Sequence, residues 1–172
     1  MDAIECLTNR RSIKSYKPDP VDEGVLNTII DAAMNAPTGM NRQSPIIIAV
    51  TNKSLRDRLS RLNAQVLGAD KDPFYGAPVV LVVLADRNVN THVYDGSLVM
   101  GNIMNAAYAL GLGSCWIHRA KEVFDSAEGK EILSSLGIEG DFEGIGHCVL
   151  GYADCPQPAK RDRKQNYVYY AK

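Results

Sequence analysis

Cysteine is scarce and scattered. The four in this 172-residue sequence, Cys6, Cys115, Cys148 and Cys155, include no Cys-x-x-Cys pair. Such spacing excludes a disulfide framework and fits a reduced chain whose cysteines act as small buried hydrophobes. Cys115 and His118 have Cys-x-x-His spacing, with His147-Cys148 as an imaginable second pair. Both pairs lie in apolar stretches that read as strands, where residues 147 and 148 would face opposite ways, so no metal site is expected. Charge of one sign is also lacking. A formal net charge of −1 excludes a general polyanion binder, so any phosphate must be gripped by a local cluster of cations. No apolar run approaches the roughly 18 residues that span a bilayer. Met1-Asp2-Ala3-Ile4-Glu5 lacks the basic region of a secretory leader, and a soluble cytoplasmic protein is expected. There is no Gly-x-Ser-x-Gly elbow and no Walker loop. Gly111-Leu112-Gly113 is not Gly-x-Gly-x-x-Gly and runs from helix into strand, which excludes a Rossmann dinucleotide site.

What is present is ordinary globular composition, 45% hydrophobic and 23% charged, with no repeat or long linker. A single domain over residues 1–172 is expected. Asp2 with Glu5 predicts a short capped helix, and Asp22 a second one carrying Val25, Leu26, Ile29, Ile30 and Ala33. Pro37-Thr38-Gly39 breaks it. Ile46–Val50 is β-branched and continuous, predicting a central strand buried on both faces, and Val79–Leu84 predicts another. Between them Leu55, Leu59 and Leu62 mark an amphipathic helix. From about Val93 to Leu110 runs a long helix that is apolar or small nearly all round, which a partner subunit would enclose. A strand at Ser114–Ile117, a helix near Ala127–Leu136 and a strand at Gly146–Leu150 follow. Pro156 and Pro158 keep the tail out of a helix, while Tyr167-Val168-Tyr169-Tyr170 is strand-forming and needs an edge to pair with. By pattern alone, this alternation predicts a doubly wound parallel sheet.

Two segments carry chemistry. If residues 10 to 14 are extended, Arg10, Ser12 and Lys14 share a face and make an anion grip. They lie at the C-terminal end of a helix, where the dipole repels anions, so side chains would have to do the binding. Arg161 and Arg163 repeat the spacing near the end. In the loop 36–45, Thr38, Asn41, Gln43 and the Gly39 backbone offer neutral donors and acceptors suited to a heterocycle's polar edge. Each feature alone also fits an ordinary solvated surface.

Together they resemble one family, the nitroreductase-like flavoproteins. Arg10-Arg11-Ser12-Ile13-Lys14-Ser15-Tyr16 is similar to the family's opening Arg-Arg-Ser motif. Ala36-Pro37-Thr38-Gly39-Met40-Asn41-Arg42-Gln43-Ser44-Pro45 is similar to its Ala-Pro-Ser/Thr-x-x-Asn-x-Gln-Pro loop, and Ala109–Ile117 to the segment after its central helix. Arg161-Asp162-Arg163 stands where the family has a late basic pair.

The resemblance implies an α+β, three-layer sandwich with a mixed, mainly antiparallel sheet, in place of the doubly wound one, and an intertwined homodimer binding FMN at its interface. It implies that Arg10, Ser12, Arg161 and Arg163 hold the phosphate and ribityl end, with Arg11 also among the cofactor-binding residues. Lys14 would reach the pyrimidine edge of the isoalloxazine, where its charge favours the reduced ring. Pro37, Thr38, Gly39 and Asn41 would come from the other subunit, with Gln43 and the backbone of Trp116, Ile117 and His118 lining the ring. The C-terminal strand would embrace the partner's sheet. The reaction implied is ping-pong hydride transfer from NAD(P)H through flavin N5 to a nitroaromatic, quinone or other small acceptor, with no obligatory protein acid or base. Two departures stand out: many relatives have Gly where His118 stands, and larger ones insert helices over the substrate slot. Non-reductase flavin chemistry on the same fold, or a binding domain without turnover, would fit the same residues.

Overall fold

The structure is a computed structural model that describes residues 2–172. Asp2 caps α1 (Ala3–Asn9), its carboxylate accepting from the Glu5 amide at 2.9 Å. Asp22 caps α2 (Glu23–Met34), accepting from Val25 at 3.0 Å. Both caps fall where the sequence spacing puts them. A single 3-10 turn, Gly39–Asn41, leads into β1 (Pro45–Val50). Helix α3 (Lys53–Leu67) follows, ending at Gly68 in the left-handed conformation. Then come β2 (Val79–Asp86), α4 (His92–Ala109), β3 (Gly113–Ile117), the short α5 (Ala120–Asp125), α6 (Ala127–Ser135) and β4 (Phe142–Gly151).

The strands form one sheet in the order β1-β2-β4-β3, every neighbouring pair antiparallel. This corrects the doubly wound parallel expectation, and the connections explain why. Val50 at the end of β1 pairs with Val80 at the start of β2. Helix α3 carries the chain back, and the loop after Gly68 returns it to where β1 ended. The β2–α4–β3 crossover does leave two strands running the same way, but β4 inserts between them. It pairs Val79 with Leu150 on one side and Gly113 with Gly151 on the other. Residues 10–16 run beside the outer edge of β3 through a parallel bridge, Ser12 to Ser114, and Tyr16 bridges antiparallel to Ala153. The sheet is thus mainly antiparallel with one parallel contact.

Two apolar layers sandwich it. Val79, Leu81, Val83 and Ala85 pack with Leu26, Ile29, Val99, Met100 and Ile103 of α2 and α4. Val80, Val82 and Leu84 pack with Leu59, Leu62, Val123, Phe124 and Ile132 of α3, α5 and α6. Alternating side chains along β2 thus supply both layers. β1 departs from expectation: it is an outer strand, mostly half-buried, with only Val50 fully enclosed. A continuous apolar run does not distinguish an outer strand with one open edge from a central one. Cys6, Cys115 and Cys148 are buried and Cys155 half-buried, all as free thiols.

The inner face of α4 is buried, but Tyr94 is 72% exposed and Leu98 48%, with Ile4 and Leu7 of α1 also exposed. The tail from residue 156 is exposed and contains no strand, so Tyr167–Tyr170 does not pair with its own sheet. Strand propensity reports fit to a pleated, half-buried surface, and within one chain the tail meets none. Among the described residues, no helix is long and apolar enough to cross a membrane.

A bulge in β4 sets the approach of α5. Val83 pairs with Gly146 and Leu84 with Gly144, leaving Ile145 extra. A Cβ on Gly144 would strike the Ala120 carbonyl at the start of α5, and one on Gly146 would meet the Trp116 indole nitrogen. Gly144→Ala is therefore expected to lower the free energy of unfolding by about 2–3 kcal/mol, because backbone rather than a flexible side chain must move. Urea denaturation checks this, and an unchanged midpoint would contradict it.

Candidate functional site

The basic stretch sits on the edge of β3. Arg10 closes α1, and the Ile13 amide donates to the Ser114 carbonyl at 3.0 Å. Ile13 turns into the core, which leaves its neighbours Ser12 and Lys14 facing outward as alternation requires, while Tyr16 is buried too and departs from that period. Behind them lies the buried Cys115. Burial pushes that thiol's pKa up, while the Ser12 hydrogen bond and the Lys14 and Arg10 charges oppose the shift. One terminal nitrogen of Arg10, Nη1, is buried with no hydrogen-bond partner. A buried guanidinium nitrogen left open in this way is costly unless an anion meets it. Arg11 turns elsewhere: its Nη1 donates to the Thr8 and Arg10 carbonyls at 3.1 and 2.7 Å, beside a cavity of about 240 Å³ lined by Tyr108, Gly111 and Cys155. Arg161 and Arg163 are exposed on the tail, whose beginning is tied to the end of α1 by Gln157 donating to the Asn9 carbonyl at 2.7 Å.

The loop 36–45 is organised by a residue that the sequence reading missed. Asp95, in the first turn of α4, is 2% exposed. It accepts from the Gly39 amide at 2.9 Å, the Ser44 hydroxyl at 2.8 Å and the Thr91 hydroxyl at 3.0 Å. These bonds hold a strained backbone: Met40, Asn41 and Gln43 all have positive φ, a cost of order 1–3 kcal/mol each. Gly39 allows the close approach, since a Cβ there would lie 2.5 Å from the Thr91 hydroxyl. Thr38 accepts from the Gln43 amide at 3.1 Å, and the Gln43 amide nitrogen reaches Asn41 at 3.4 Å. Pro37 lies at the start of this loop, after α2. Thr38 and Gln43 line a cavity of about 340 Å³ with Met34, Ile46 and Val99. A carboxylate in a first helical turn is a common sequence feature, and its only distinguishing sign is the string of hydroxyls and glycine that reach it.

The third part is the turn from β3 into α5. Trp116 is half-buried against Gly146, Ile117 is buried and His118 is exposed. The His118 carbonyl accepts at 2.8 Å from Asn63 of α3, whose own oxygen accepts from the Arg119 Nε at 3.1 Å. Asn63 is fully buried and was not foreseen. Arg119 has φ of 73°, a left-handed conformation that a residue with a Cβ adopts at a cost. Beneath the turn, burial pushes the His147 ring down to a pKa of about 3, against the carbonyls of Ile117 and His118 that would raise it. The ring is neutral at physiological pH. His147 and Cys148 face opposite layers of the sandwich.

Within the chain the basic stretch and the turn both border β3, while the loop 36–45 lies apart from them. The loop 36–45 leads into β1 at one edge of the sheet, and Arg10, Ser12 and Lys14 line β3 at the other. Three strand spacings of about 4.8 Å separate those edges by about 14 Å.

The sequence matches the profile of the nitroreductase family over residues 7–71 and 64–152. The chain belongs to the nitroreductase family. It is 30% identical over 181 residues to FMN reductase [NAD(P)H] of Bacillus subtilis, which covers 95% of this chain and 69% of that one. A protein of Methanothermobacter thermautotrophicus assigned as an NADH dehydrogenase or NAD(P)H nitroreductase is 33% identical over 121 residues, 67% of this chain and 60% of its own length. This nitroreductase-family chain therefore aligns with well short of the full length of either relative. Among solved structures, a nitroreductase with bound FMN from Bacteroides fragilis superposes with a TM-score of 0.90 at 24% identity, covering 100% of both chains. Another with bound FMN, from Desulfitobacterium hafniense, gives 0.87 at 25% identity, covering 99% and 100%. The α+β sandwich expected from the motifs is thus the fold found.

Burial alone would raise the Asp95 carboxyl, but the Gly39, Ser44 and Thr91 hydrogen bonds and nearby His92 outweigh it and hold its pKa below the ordinary carboxylate value. A lowered folded pKa contributes stability that is complete above the unfolded value of about 3.9 and fades as pH falls through the lower folded one. Asp95→Asn should therefore cost about 1.5–3 kcal/mol at pH 7. The gap to the natural protein should narrow below about pH 4, as urea unfolding at both pH values will read. A gap that stays constant or widens on acidification would overturn this account of the loop.

Proposed function

We propose that the protein is an FMN-dependent NAD(P)H oxidoreductase that works as a homodimer. The observation that carries this is the half-buried Arg10, whose guanidinium has a buried nitrogen without a partner beside Ser12 and Lys14 on an open strand edge, in a chain of this family. These donors fit a phosphate-bearing ligand. The names of the relatives support a nicotinamide donor and FMN, and the bound FMN of a fold neighbour supports the same cofactor.

Arg10, Ser12, Arg161 and Arg163 would hold the phosphate and ribityl end, with Arg11 bracing the stretch through its carbonyl bonds. Lys14 would place its ammonium at the pyrimidine edge, where negative charge is favoured. Bound FMN supplies hydride uptake and release at its N5. Trp116, Ile117 and His118 would present backbone to the ring, with Gln43 beside it. Pro37, Thr38, Gly39 and Asn41 would come from the second copy, a reading that the separation of about 14 Å supports. Exposed Ile4, Leu7, Tyr94 and Leu98 offer an apolar face for that copy, and the unpaired tail offers a strand. Hydride transfer would be ping-pong, with NAD(P)+ leaving before a nitroaromatic, quinone or other small acceptor enters the same slot. Three buried thiols without disulfides fit a cytoplasmic setting.

The purified, FMN-reconstituted protein should be yellow, sediment as a dimer and bleach when mixed anaerobically with NADH or NADPH. Arg10→Ala and Arg163→Ala should each weaken FMN binding by about tenfold or more, with the far-UV circular dichroism unchanged. A colourless protein, or bound flavin that neither nicotinamide bleaches, would contradict the proposal.

A further inference from the structure

The turn that leaves β3 is held from below by a side chain that the proposed chemistry does not itself use. Asn63 lies in the middle of α3, on its core-facing side, and is fully buried. It spends both ends of its amide on the turn: its nitrogen donates to the His118 carbonyl at 2.8 Å, and its oxygen accepts from the Arg119 Nε at 3.1 Å. His147, packed against Phe74 and Phe124, lies 3.4 Å from the same Asn63 nitrogen. In a planar trans peptide the C=O and N–H point opposite ways. Drawing the His118 carbonyl toward α3 therefore sends the Arg119 amide away from α3. The left-handed φ of Arg119 belongs to that arrangement, and strain of this kind persists only where surrounding contacts over-determine it.

We propose that Asn63 is a positioning residue for the flavin site: by clamping the His118 carbonyl and the Arg119 guanidinium, it presents the Arg119 amide as a fixed donor toward the ring. This rests on the ring lying at the 116–118 backbone. A donor fixed before the ring takes on charge stabilises the reduced state more than one that must first reorient. Asn63 would then act on the potential of the flavin through backbone it never covers.

The test is the two-electron midpoint potential of FMN bound to the dimeric protein, compared among the natural protein, Asn63→Ala, Asn63→Asp and Leu59→Ala. Asn63→Asp keeps the shape and the acceptor for Arg119 but loses the donor to His118. Leu59→Ala removes a buried side chain from the same helix and leaves both Asn63 hydrogen bonds to the turn in place. Both Asn63 variants should bind reduced relative to oxidised FMN about tenfold more weakly, a fall of about 30 mV. Leu59→Ala should lose thermal stability at an unchanged potential. An Asn63→Asp protein that holds FMN at the natural potential overturns the clamp and leaves the oxidoreductase proposal intact. Failure of the natural protein to take up FMN overturns the oxidoreductase proposal instead. The clamp itself is then decided by a crystal structure of flavin-free Asn63→Asp: a rotated 118–119 peptide supports it, and an unmoved one refutes it.

Discussion

Width is the constraint on which everything else turns. The cations that can grip a phosphate border β3, the loop that can read a polar ring edge enters β1, and two further strands lie between them. Side chains cannot reach across about 14 Å of sheet, nor can the sheet fold back on itself while helices cover both faces. On the proposed reading, a site that joins both groups takes one of them from a second copy. The same chain leaves apolar side chains of α1 and α4 and a strand-forming tail uncovered, features that make poor sense for a solitary molecule and good sense for one half of a pair.

Where the chain must present polar backbone outward, the structure spends buried polar side chains to fix it. Asp95 gathers an amide and two hydroxyls under the loop 36–45, and Asn63 holds a carbonyl and a guanidinium under the turn after β3. In both places non-glycine residues sit at positive φ, Met40, Asn41 and Gln43 in one and Arg119 in the other. Four such residues would be costly in free loops. Anchored to helices that are themselves packed on the sheet, they become rigid edges, and rigid edges can hold a planar ligand without reordering.

Much of the local structure was legible. Asp2 and Asp22 announced their helices by spacing, β2 and α4 by their apolar runs, and Ser12 and Lys14 face outward on either side of buried Ile13 as alternation dictates. Strand order was not legible, since alternating helices and strands look the same whether or not a later strand slips between two earlier ones, as β4 does between β2 and β3. β1 read as central because apolar continuity says nothing of how many neighbours a strand has. Arg11 was counted among the cofactor-binding residues through the family resemblance, yet its side chain turns to carbonyls of its own helix end. Asp95 and Asn63 escaped notice for a common reason: a polar residue on a helix signals a buried hub only through partners distant in sequence, Gly39 and Ser44 for one, His118 and Arg119 for the other.

The most direct measurement is FMN stoichiometry in a mixed dimer, one copy carrying Arg10→Ala and the other Gly39→Val, whose added side chain would displace the loop from Thr91. If each site joins the cations of one copy to the loop of the other, both defects fall in one site and the second stays intact. Titration should then find one tightly bound FMN per mixed dimer, with neither homodimer binding tightly. A mixed dimer as empty as the two homodimers would mean that each site is built within a single chain, and the shared site would be ruled out.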